Sequence, residues 1–353
     1  MRLKIVVLGT GYWGKNLLRN VDALGCLYGF CDTSEAARKT YGELYPSART
    51  YDDPDTVFAD PEVDAVMIAT PAVTHGELAR KAILSGKHVF VEKPLCLDLD
   101  EARALTELSL EKGVTLMVGH LLLYHPAFVA LREFVRAGGI GDIRYIYSNR
   151  ASLGKIRTEE SALWSFAPHD ISMILNLIGT LPEDVQSRGN GFITPQIADV
   201  CLTSLSFGGG VGAHIFVSWL HPYKDHKLVI VGSTGMAVFD DVAKGGEKLL
   251  VWPHQVTTGE RQLPPSVDRA QAKPIPYDAE AEPLRQECEH FIRSAESGSK
   301  PVSDGEEAER VLQVLAAAQA SMERGGESVA CDAATLKSLS AQPLKVGGLD
   351  EGN

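Results

Sequence analysis

The sequence has no paired cysteines. Its six cysteines are scattered singly, and none belongs to a Cys-x-x-Cys pair or to a spacing typical of metal ligands. We therefore interpret them as reduced thiols, and we expect neither a disulfide framework nor a metal site.

Long apolar runs are absent as well. No stretch approaches the roughly 20 residues that a membrane-spanning helix needs. The first apolar stretch, Leu3–Leu8, contains Lys4 and leads directly into a glycine-rich turn, so we expect no signal peptide. These features predict a cytoplasmic protein that does not associate with a membrane.

Positive charge is in deficit. Lys and Arg total 34 against 46 Asp and Glu, which gives a formal net charge of −12. A surface of this sign argues against nucleic acid as a partner. It leaves an anionic small molecule open, because a local pocket can be basic on an acidic protein.

A chain of 353 residues with 44% hydrophobic composition is long enough for two domains with separate cores. In the first 120 residues, short β-branched runs alternate with helical patterns, which predicts a parallel sheet with helices on both faces. The predicted strands are Ile5–Leu8, Leu27–Cys31, Ala65–Ala69, His88–Glu92 and Thr115–Val118, and the predicted helices are Gly14–Leu24, Glu77–Ser85 and Leu99–Lys112, the last begun by Asp98 and closed by Gly113.

After Pro126 the pattern changes to longer strands joined by glycine-rich turns, which is typical of hairpins. We predict helices at Ala127–Arg136, Pro168–Ile178, Glu282–Ser294 and Glu306–Glu323, and strands at Ile143–Ala151, Val185–Phe192, Asp199–Phe207, Val211–Ser218, Lys227–Val231 and Met236–Phe239. Pro253–Pro276, with five prolines, is interpreted as a surface loop, and the last 25 or so residues as an extended tail.

The predicted fold is therefore an α/β Rossmann domain (1–120) followed by an α+β domain with a large, mainly antiparallel open sheet (121–330) and a C-terminal tail (331–353).

A glycine-rich turn follows the first strand and opens the first helix: Gly9-Thr10-Gly11-Tyr12-Trp13-Gly14. Gly9 allows the tight turn, Gly11 lets the backbone approach a pyrophosphate, and Gly14 lets the helix pack on the strand. The helix N-terminus then offers free N–H groups to the phosphates. This context predicts a dinucleotide site that includes Tyr12 and Trp13.

Asp32 ends the second strand, 18 residues after Gly14. A carboxylate at that place accepts hydrogen bonds from the ribose hydroxyls and repels a 2′-phosphate. The neighbouring Thr33 adds no positive charge. NAD is therefore favoured over NADP.

Two further motifs follow strands, at the sheet edge where open α/β folds bind ligands. One is Thr70-Pro71 with His75, and the other is Glu92-Lys93-Pro94. A lysine at the mouth of a cofactor cleft can donate a hydrogen bond to a substrate hydroxyl and stabilise negative charge on its oxygen. Taken alone, Lys93 fits an ordinary surface lysine better than a site residue.

These motifs, together with a later His169, resemble the glucose–fructose oxidoreductase/inositol dehydrogenase/MocA (Gfo/Idh/MocA) family, from Ile5 to about Met322. The resemblance implies an NAD-dependent dehydrogenase acting on a secondary hydroxyl, and a homodimer or homotetramer formed through the second domain. It also implies that Lys93 contacts the nicotinamide ribose and substrate, that His169 is the general acid/base, and that Thr70, Pro71, His75, Glu92 and His120 line the cofactor site.

The family usually carries Asp or Asn four residues before this histidine, whereas Ser165 stands there in this chain. The serine weakens the case for a Lys–Asp–His triad. It also favours an alternative in which the chain is a non-catalytic NAD-binding protein. Asp170 either orients His169 or is an ordinary carboxylate of the helix.

Local likenesses point to members that oxidise the 3-hydroxyl of UDP-N-acetylglucosamine, giving a 3-keto nucleotide sugar. The alternative is a dehydrogenase or ketoreductase that acts on a free cyclitol or monosaccharide. The candidate substrate residues are Tyr124, Trp164, Ser165, Asp170, Tyr223 and Lys224. Tyr223 and Lys224 fit a diphosphate site or a solvated turn equally well.

Overall fold

The computed structural model describes residues 2–153, 156–157, 160–257 and 266–340. Two sheets organise the chain. A six-stranded sheet comes from the first third, and a ten-stranded sheet comes from the remainder.

The first sheet is entirely parallel, with strand order β3-β2-β1-β4-β5-β6. The central strands are fully buried apolar runs, as expected for strands that are covered by helices on both faces. The strands are β1 Ile5–Leu8, β2 Leu27–Cys31, β3 Arg49–Tyr51, β4 Ala65–Ile68, β5 His88–Glu92 and β6 Leu116–Gly119; the helices are α1 Gly14–Ala23, α2 Glu35–Leu44, α3 Pro54–Ala59, α4 His75–Leu84 and α5 Leu99–Lys112.

The second sheet has the order β14-β13-β12-β11-β7-β10-β9-β8-β16, with β15 also paired to β13. Among its described pairs only β7 and β10 run parallel, so the predicted combination of a parallel Rossmann sheet and a mainly antiparallel second sheet is confirmed. Its strands are β7 Ile143–Ala151, β8 Asp184–Asn190, β9 Val200–Ser206, β10 Gly212–Ser218, β11 Asp225–Gly232, β12 Gly235–Asp240, β13 Leu249–Thr257, β14 Ser266–Arg269, β15 Lys273–Pro274 and β16 Val329–Ala330.

The described residues hold five further helices: α6 Pro126–Arg136, α7 Ala162–Ile178, α8 Pro283–Ser297, α9 Gly305–Glu323 and α10 Ala333–Ser340. Helix α7 packs on β7, β9 and β10, while α9 packs on β8 and also contacts α5. Helix α8 contacts α1, where Arg19 pairs with Glu282. The C-terminal helices α8 and α9 therefore contact elements of both parts of the chain.

Helix α7 begins six residues before its predicted start. The helix begins at Ala162, and Pro168, the predicted first residue, lies inside it. An internal proline removes one backbone hydrogen bond. This correction matters because the preceding turn carries Ser165, which borders the site described below.

Two predictions in the last third are wrong. Much of the predicted loop 253–276 belongs to β13, β14 and β15. Pro274 lies on β15, which pairs only with β13 among the described strands, and an edge strand tolerates proline. The predicted extended tail holds β16, which pairs with β8, and α10. Residues 341–353 lie outside the described residues.

Helix α3 and strand β3 were not predicted. They are only six and three residues long, too short for a hydrophobic period to be recognised in the sequence. No helix among the described residues is long and apolar enough to cross a membrane.

Candidate active site

The turn between β1 and α1 has the geometry that its glycines require. Gly9 has φ +85°, and a side chain at Gly14 would lie 1.9 Å from the Gly9 carbonyl oxygen. A Cβ on Gly11 meets no atom within 4 Å, which leaves the backbone open on the side where a pyrophosphate would lie. The turn therefore fits the dinucleotide predicted for it.

Asp32 is held rigidly at the end of β2. Its carboxylate accepts hydrogen bonds from the backbone N–H and the hydroxyl of Thr10, at 2.8 and 2.7 Å, and from the Ser34 N–H at 2.9 Å. Partial burial raises the pKa of Asp32, but the hydrogen bonds from Ser34 and Thr10 outweigh it and leave the pKa below its usual value. The group is an anion at neutral pH, as a ribose-binding carboxylate must be.

His75 connects the two predicted motif loops. Its Nδ1 lies 2.7 Å from the Pro94 carbonyl oxygen, and its Nε2 lies 2.8 Å from the Thr70 carbonyl oxygen. Burial lowers the pKa of His75. Because both ring nitrogens contact the protein backbone, His75 holds the two loops together and has no free ring nitrogen for a ligand.

Glu92 and Lys93 leave β5 with their side chains in a buried setting. Trp13 donates its indole N–H to Glu92, and burial raises the pKa of Glu92, an effect that this hydrogen bond and the Lys93 charge partly offset. The Lys93 ammonium donates to the Ser165 carbonyl oxygen at 2.9 Å. That bond joins the β5 loop to α7 across the cleft and leaves Lys93 with two more donors.

His169 lies one turn after Ser165 on α7. Its Nδ1 is buried and has no hydrogen-bond partner among the described residues. Burial, and then the positive charges of Lys93 and Arg150, lower the pKa of His169 well below the ordinary histidine value. The imidazole is therefore neutral at pH 7 and able to accept a proton.

A cavity of about 510 Å³ brings most of these residues together. It lies where the carboxyl ends of β1, β4, β5 and β6 face α7, β7 and β11. Ten predicted residues line it, namely Tyr12, Trp13, Thr70, Pro71, His75, Glu92, Lys93, Ser165, His169 and Lys224.

Four other predicted residues are not in this cavity. The buried Tyr124 hydroxyl bonds Ser303, and the indole of Trp164 donates to Gln319 in a separate groove. His120 is 2% exposed and is paired with Glu307. Asp170 is fully buried in an ion pair with Arg150. The structure thus places the four side chains in contacts with other parts of the chain and outside this cavity lining, and the roles predicted for them, cofactor contact for His120 and substrate contact for the rest, stay predictions.

Two predicted residues lie at the margins of the site. Thr33 follows Asp32 in the β2–α2 turn, where its carbonyl oxygen accepts a hydrogen bond from Arg38 at 2.9 Å. Tyr223 is 64% exposed beside Lys224, and its ring packs edge-on against His221 at 4.9 Å.

Sequence reasoning missed the opposite wall of the cavity. Arg150 of β7 and His226 of β11 line it, as do Arg157 and Glu160, which pair with each other at 2.8 Å. One signal was available, since Ile146, Ser148 and Arg150 alternate along β7 on the side facing α7. An arginine at a buried strand position marks a functional site more often than a surface arginine does. In the described part of the chain no cluster of histidine, cysteine or acidic residues suits a metal ion.

Comparison with known proteins agrees with this geometry. Residues 3–120 match the Gfo/Idh/MocA oxidoreductase family with its NAD-binding Rossmann fold, and residues 128–238 match a C-terminal domain of that family. UDP-N-acetylglucosamine 3-dehydrogenase of Acidithiobacillus ferrooxidans is 31% identical over 220 residues, covering 62% of this chain and 67% of its own.

An inositol enzyme is also similar. The NAD-dependent scyllo-inositol 2-dehydrogenase of Bacillus subtilis is 30% identical over 249 residues, covering 66% of this chain and 72% of its own. Among solved structures, that of the Acidithiobacillus enzyme aligns with a TM-score of 0.77 at 26% identity, over 91% of this chain and 99% of its own. The two relatives share a scaffold and differ in substrate.

Proposed function

The chain belongs to the Gfo/Idh/MocA family of NAD-dependent oxidoreductases acting on CH–OH groups, and we propose that it oxidises the 3-hydroxyl of a UDP-N-acetyl-hexosamine. The proposal rests on the observation that Lys93 and His169 line the same cavity as residues of the predicted cofactor turn. The product is a 3-keto nucleotide sugar.

The residues of the first sheet fit NAD. Gly11 leaves room for the pyrophosphate, and the anionic Asp32 lies where the ribose hydroxyls of the adenosine half would be. Bound NAD supplies the acceptor for the hydride that leaves the substrate carbon. Thr70, Pro71 and Trp13 form the cavity wall next to this turn.

In the proposed mechanism His169 removes the hydroxyl proton of the substrate. Its lowered pKa keeps the imidazole neutral, so it can accept a proton without first losing one. Lys93 holds the same hydroxyl and stabilises negative charge on the oxygen as the proton leaves. Its bond to the Ser165 carbonyl fixes the ammonium within the cleft, so Ser165 contributes through its backbone.

Two observations favour a nucleotide sugar. Lys224 is an exposed cation on the cavity rim, and the ring of Tyr223 stands exposed next to it. A cation and an exposed aromatic ring suit a diphosphate and a nucleobase. The Acidithiobacillus relative, by its name, acts on such a substrate. A free cyclitol remains the second candidate, since the Bacillus subtilis relative is an inositol dehydrogenase.

The test is NADH absorbance with purified protein, NAD and a panel of UDP-sugars, inositols and free hexoses. We expect turnover with UDP-N-acetylglucosamine, measured with an aminotransferase coupled to draw off the ketone. Turnover with inositol alone would replace the substrate proposal and keep the mechanism.

Lys93→Met separates chemistry from cofactor binding. We expect kcat to fall about 10²–10³-fold, the effect typical of losing a group that stabilises a developing oxyanion, while the Kd for NAD stays within about threefold. A Lys93→Met enzyme that keeps most of its turnover would contradict the assigned role.

We further propose that the protein is cytoplasmic and that the second sheet mediates a homodimer or homotetramer. The helices that pack on this sheet cover one face of β7–β10. On its other face Tyr145 and Leu202 are exposed, which is typical of a surface that another subunit covers.

A further inference from the structure

The wall of the cavity opposite the cofactor turn is built from two neighbouring strands. In the antiparallel register of β7 and β11, Arg150 lies directly opposite His226. Both side chains line the cavity. They therefore meet the part of the substrate that faces away from the cofactor.

Arg150 is fixed in one orientation. Its Nε donates to Asp170 Oδ2 at 2.7 Å, and its Nη2 donates to Oδ1 at 3.2 Å. Asp170 is fully buried and also accepts a hydrogen bond from the Ser148 hydroxyl. A two-point ion pair of this kind leaves Arg150 little freedom to turn away, so its remaining Nη1 group keeps a constant position.

That Nη1 group favours one tautomer of His226. It lies 3.4 Å from His226 Nδ1, and because a guanidinium can only donate, Nδ1 is the acceptor in this contact. The nearest Asp241 oxygen is farther from Nδ1, at 3.9 Å. In the neutral ring that Arg150 favours, the proton is on Nε2.

His226 Nε2–H is thus a buried donor without an acceptor. Among the described residues no hydrogen-bond partner reaches it. A buried N–H without a partner is unfavourable, and a ligand oxygen in the adjoining cavity would satisfy it.

The chemistry of this wall selects the kind of oxygen. Arg150 and His226 offer donors only, which suits a group that only accepts, such as a carbonyl or a carboxylate. The net charge of the wall distinguishes between a carbonyl and a carboxylate. Arg150 is neutralised by Asp170, and Lys248, at 3.3 Å, accompanies Asp241. A nearly neutral wall suits an uncharged carbonyl better than a carboxylate.

We propose that His226 determines substrate specificity by donating its Nε2–H to the acetamido carbonyl oxygen of the sugar, in the tautomer that Arg150 and Asp170 favour. This inference rests on the proposed function, in which the acetamido group is on the carbon next to the reacting one. In the non-acetylated sugar a hydroxyl replaces the acetamido group. Its oxygen is two bonds closer to the ring than the acetamido carbonyl oxygen is, so it does not satisfy the donor equally well.

The experiment compares kcat/KM for UDP-N-acetylglucosamine and UDP-glucose in the full-length enzyme. We expect wild type to favour the acetylated sugar, and His226→Leu to lower that ratio tenfold or more. His226→Gln places an amide N–H near the position of Nε2, so it should keep the ratio within about threefold. His254→Leu, a histidine of β13 that is not in the cavity lining, is the matched control and should leave the ratio unchanged.

Each outcome has one reading. If His226→Leu lowers kcat/KM equally for both sugars, or not at all, the ratio does not change. That result would overturn the inference and leave the proposed function standing. The same holds if wild type uses both sugars equally. Wild type that turns over neither UDP-sugar, but oxidises an inositol, would overturn the proposed function and the inference together. Circular dichroism of each variant shows whether a loss comes from misfolding.

Discussion

At the scale of single residues, the site depends on groups whose protonation is set by burial. His169 and Lys93 both have pKa values below their ordinary ones, in each case chiefly because burial disfavours the charged form. For His169 the neighbouring cations Lys93 and Arg150 act in the same direction, whereas for Lys93 the carboxylates of Glu160 and Glu92 oppose the effect. The imidazole of His169 is therefore neutral, whereas the two carboxylates partly stabilise the positive charge of Lys93.

The pH dependence of catalysis follows from the His169 shift. Protonation removes the base, so kcat/KM falls as the pH drops through the pKa of His169. Because that pKa lies well below 6.5, we expect full activity to persist below pH 6.5 and the acidic limb to appear only at lower pH. A pH profile of kcat/KM measures this. His169→Gln should lose this limb along with most activity, and an acidic limb at or above pH 6.5 in wild type would refute the shift.

Cofactor choice is a second property of one residue. Asp32→Ser removes the carboxylate that accepts ribose hydroxyls and repels a 2′-phosphate. The Arg38 guanidinium donates hydrogen bonds to the carbonyl oxygens of Asp32 and Thr33, at 2.8 and 2.9 Å. Without the Asp32 carboxylate, its positive charge would attract a 2′-phosphate. We expect the ratio of kcat/KM with NAD to that with NADP to fall at least tenfold.

The control for this change is Asp22→Ser, which removes an exposed carboxylate of α1. It should leave the cofactor ratio as it is in wild type. If Asp32→Ser also keeps the wild-type ratio, Asp32 does not select the cofactor.

At the scale of secondary-structure elements, short loops with defined ends position the catalytic side chains. Lys93 is separated from α5 by only five residues, and His75 joins its loop to the loop after β4. Helix α5 begins where Asp98 accepts a hydrogen bond from the Glu101 N–H at 2.8 Å, and it ends at Gly113 with φ +66°. Both ends were predicted from sequence, and both are confirmed.

The helix start can be tested by itself. Asp98→Ala removes the N-cap and should cost about 0.5–2 kcal/mol of stability, read as a lower midpoint of denaturant unfolding. Because Asn caps a helix as well as Asp does, Asp98→Asn should remain within about 0.5 kcal/mol of wild type. Equal losses in both variants would mean that the charge of Asp98, and not the cap, stabilises α5.

At the scale of the whole molecule, the second sheet presents one face that no described helix covers. Tyr145 and Leu202 on this face are 46% and 50% exposed, and the ring of Tyr147 stacks on His214 nearby. A single chain gains nothing from leaving such a surface in water, which is the physical basis for the homo-oligomer proposed above.

We expect light scattering to give a dimer or tetramer for wild type, and Tyr145→Asp/Leu202→Asp to give monomer, because a buried unpaired carboxylate strongly opposes association. Val73→Asp changes an apolar residue that is 76% exposed elsewhere on the surface, so it should keep the wild-type mass. Monomeric wild type would rule out an interface on this sheet.

Local patterns were sufficient to predict the fold class and the cofactor half of the site. The Gly9–Gly14 turn, Asp32 and Lys93 each lie within a few residues of a buried strand. Strand ends in a parallel sheet share one edge, so their relative positions follow from strand order alone. Chain-local information was insufficient where an element is too short to show a hydrophobic period, as in α3 and β3, or where packing overrides a local signal, as at Pro168 in α7.

The substrate half of the site depends on residues that are distant in sequence. Arg150 and His226 are 76 residues apart, and they meet only through the register of β7 and β11. Asp170, Tyr124 and Trp164 are near motif residues in the sequence, yet packing directs their side chains to Arg150, Ser303 and Gln319. Pairing between strands and the direction of a buried side chain are set by the packing of the whole chain, and no local pattern encodes them.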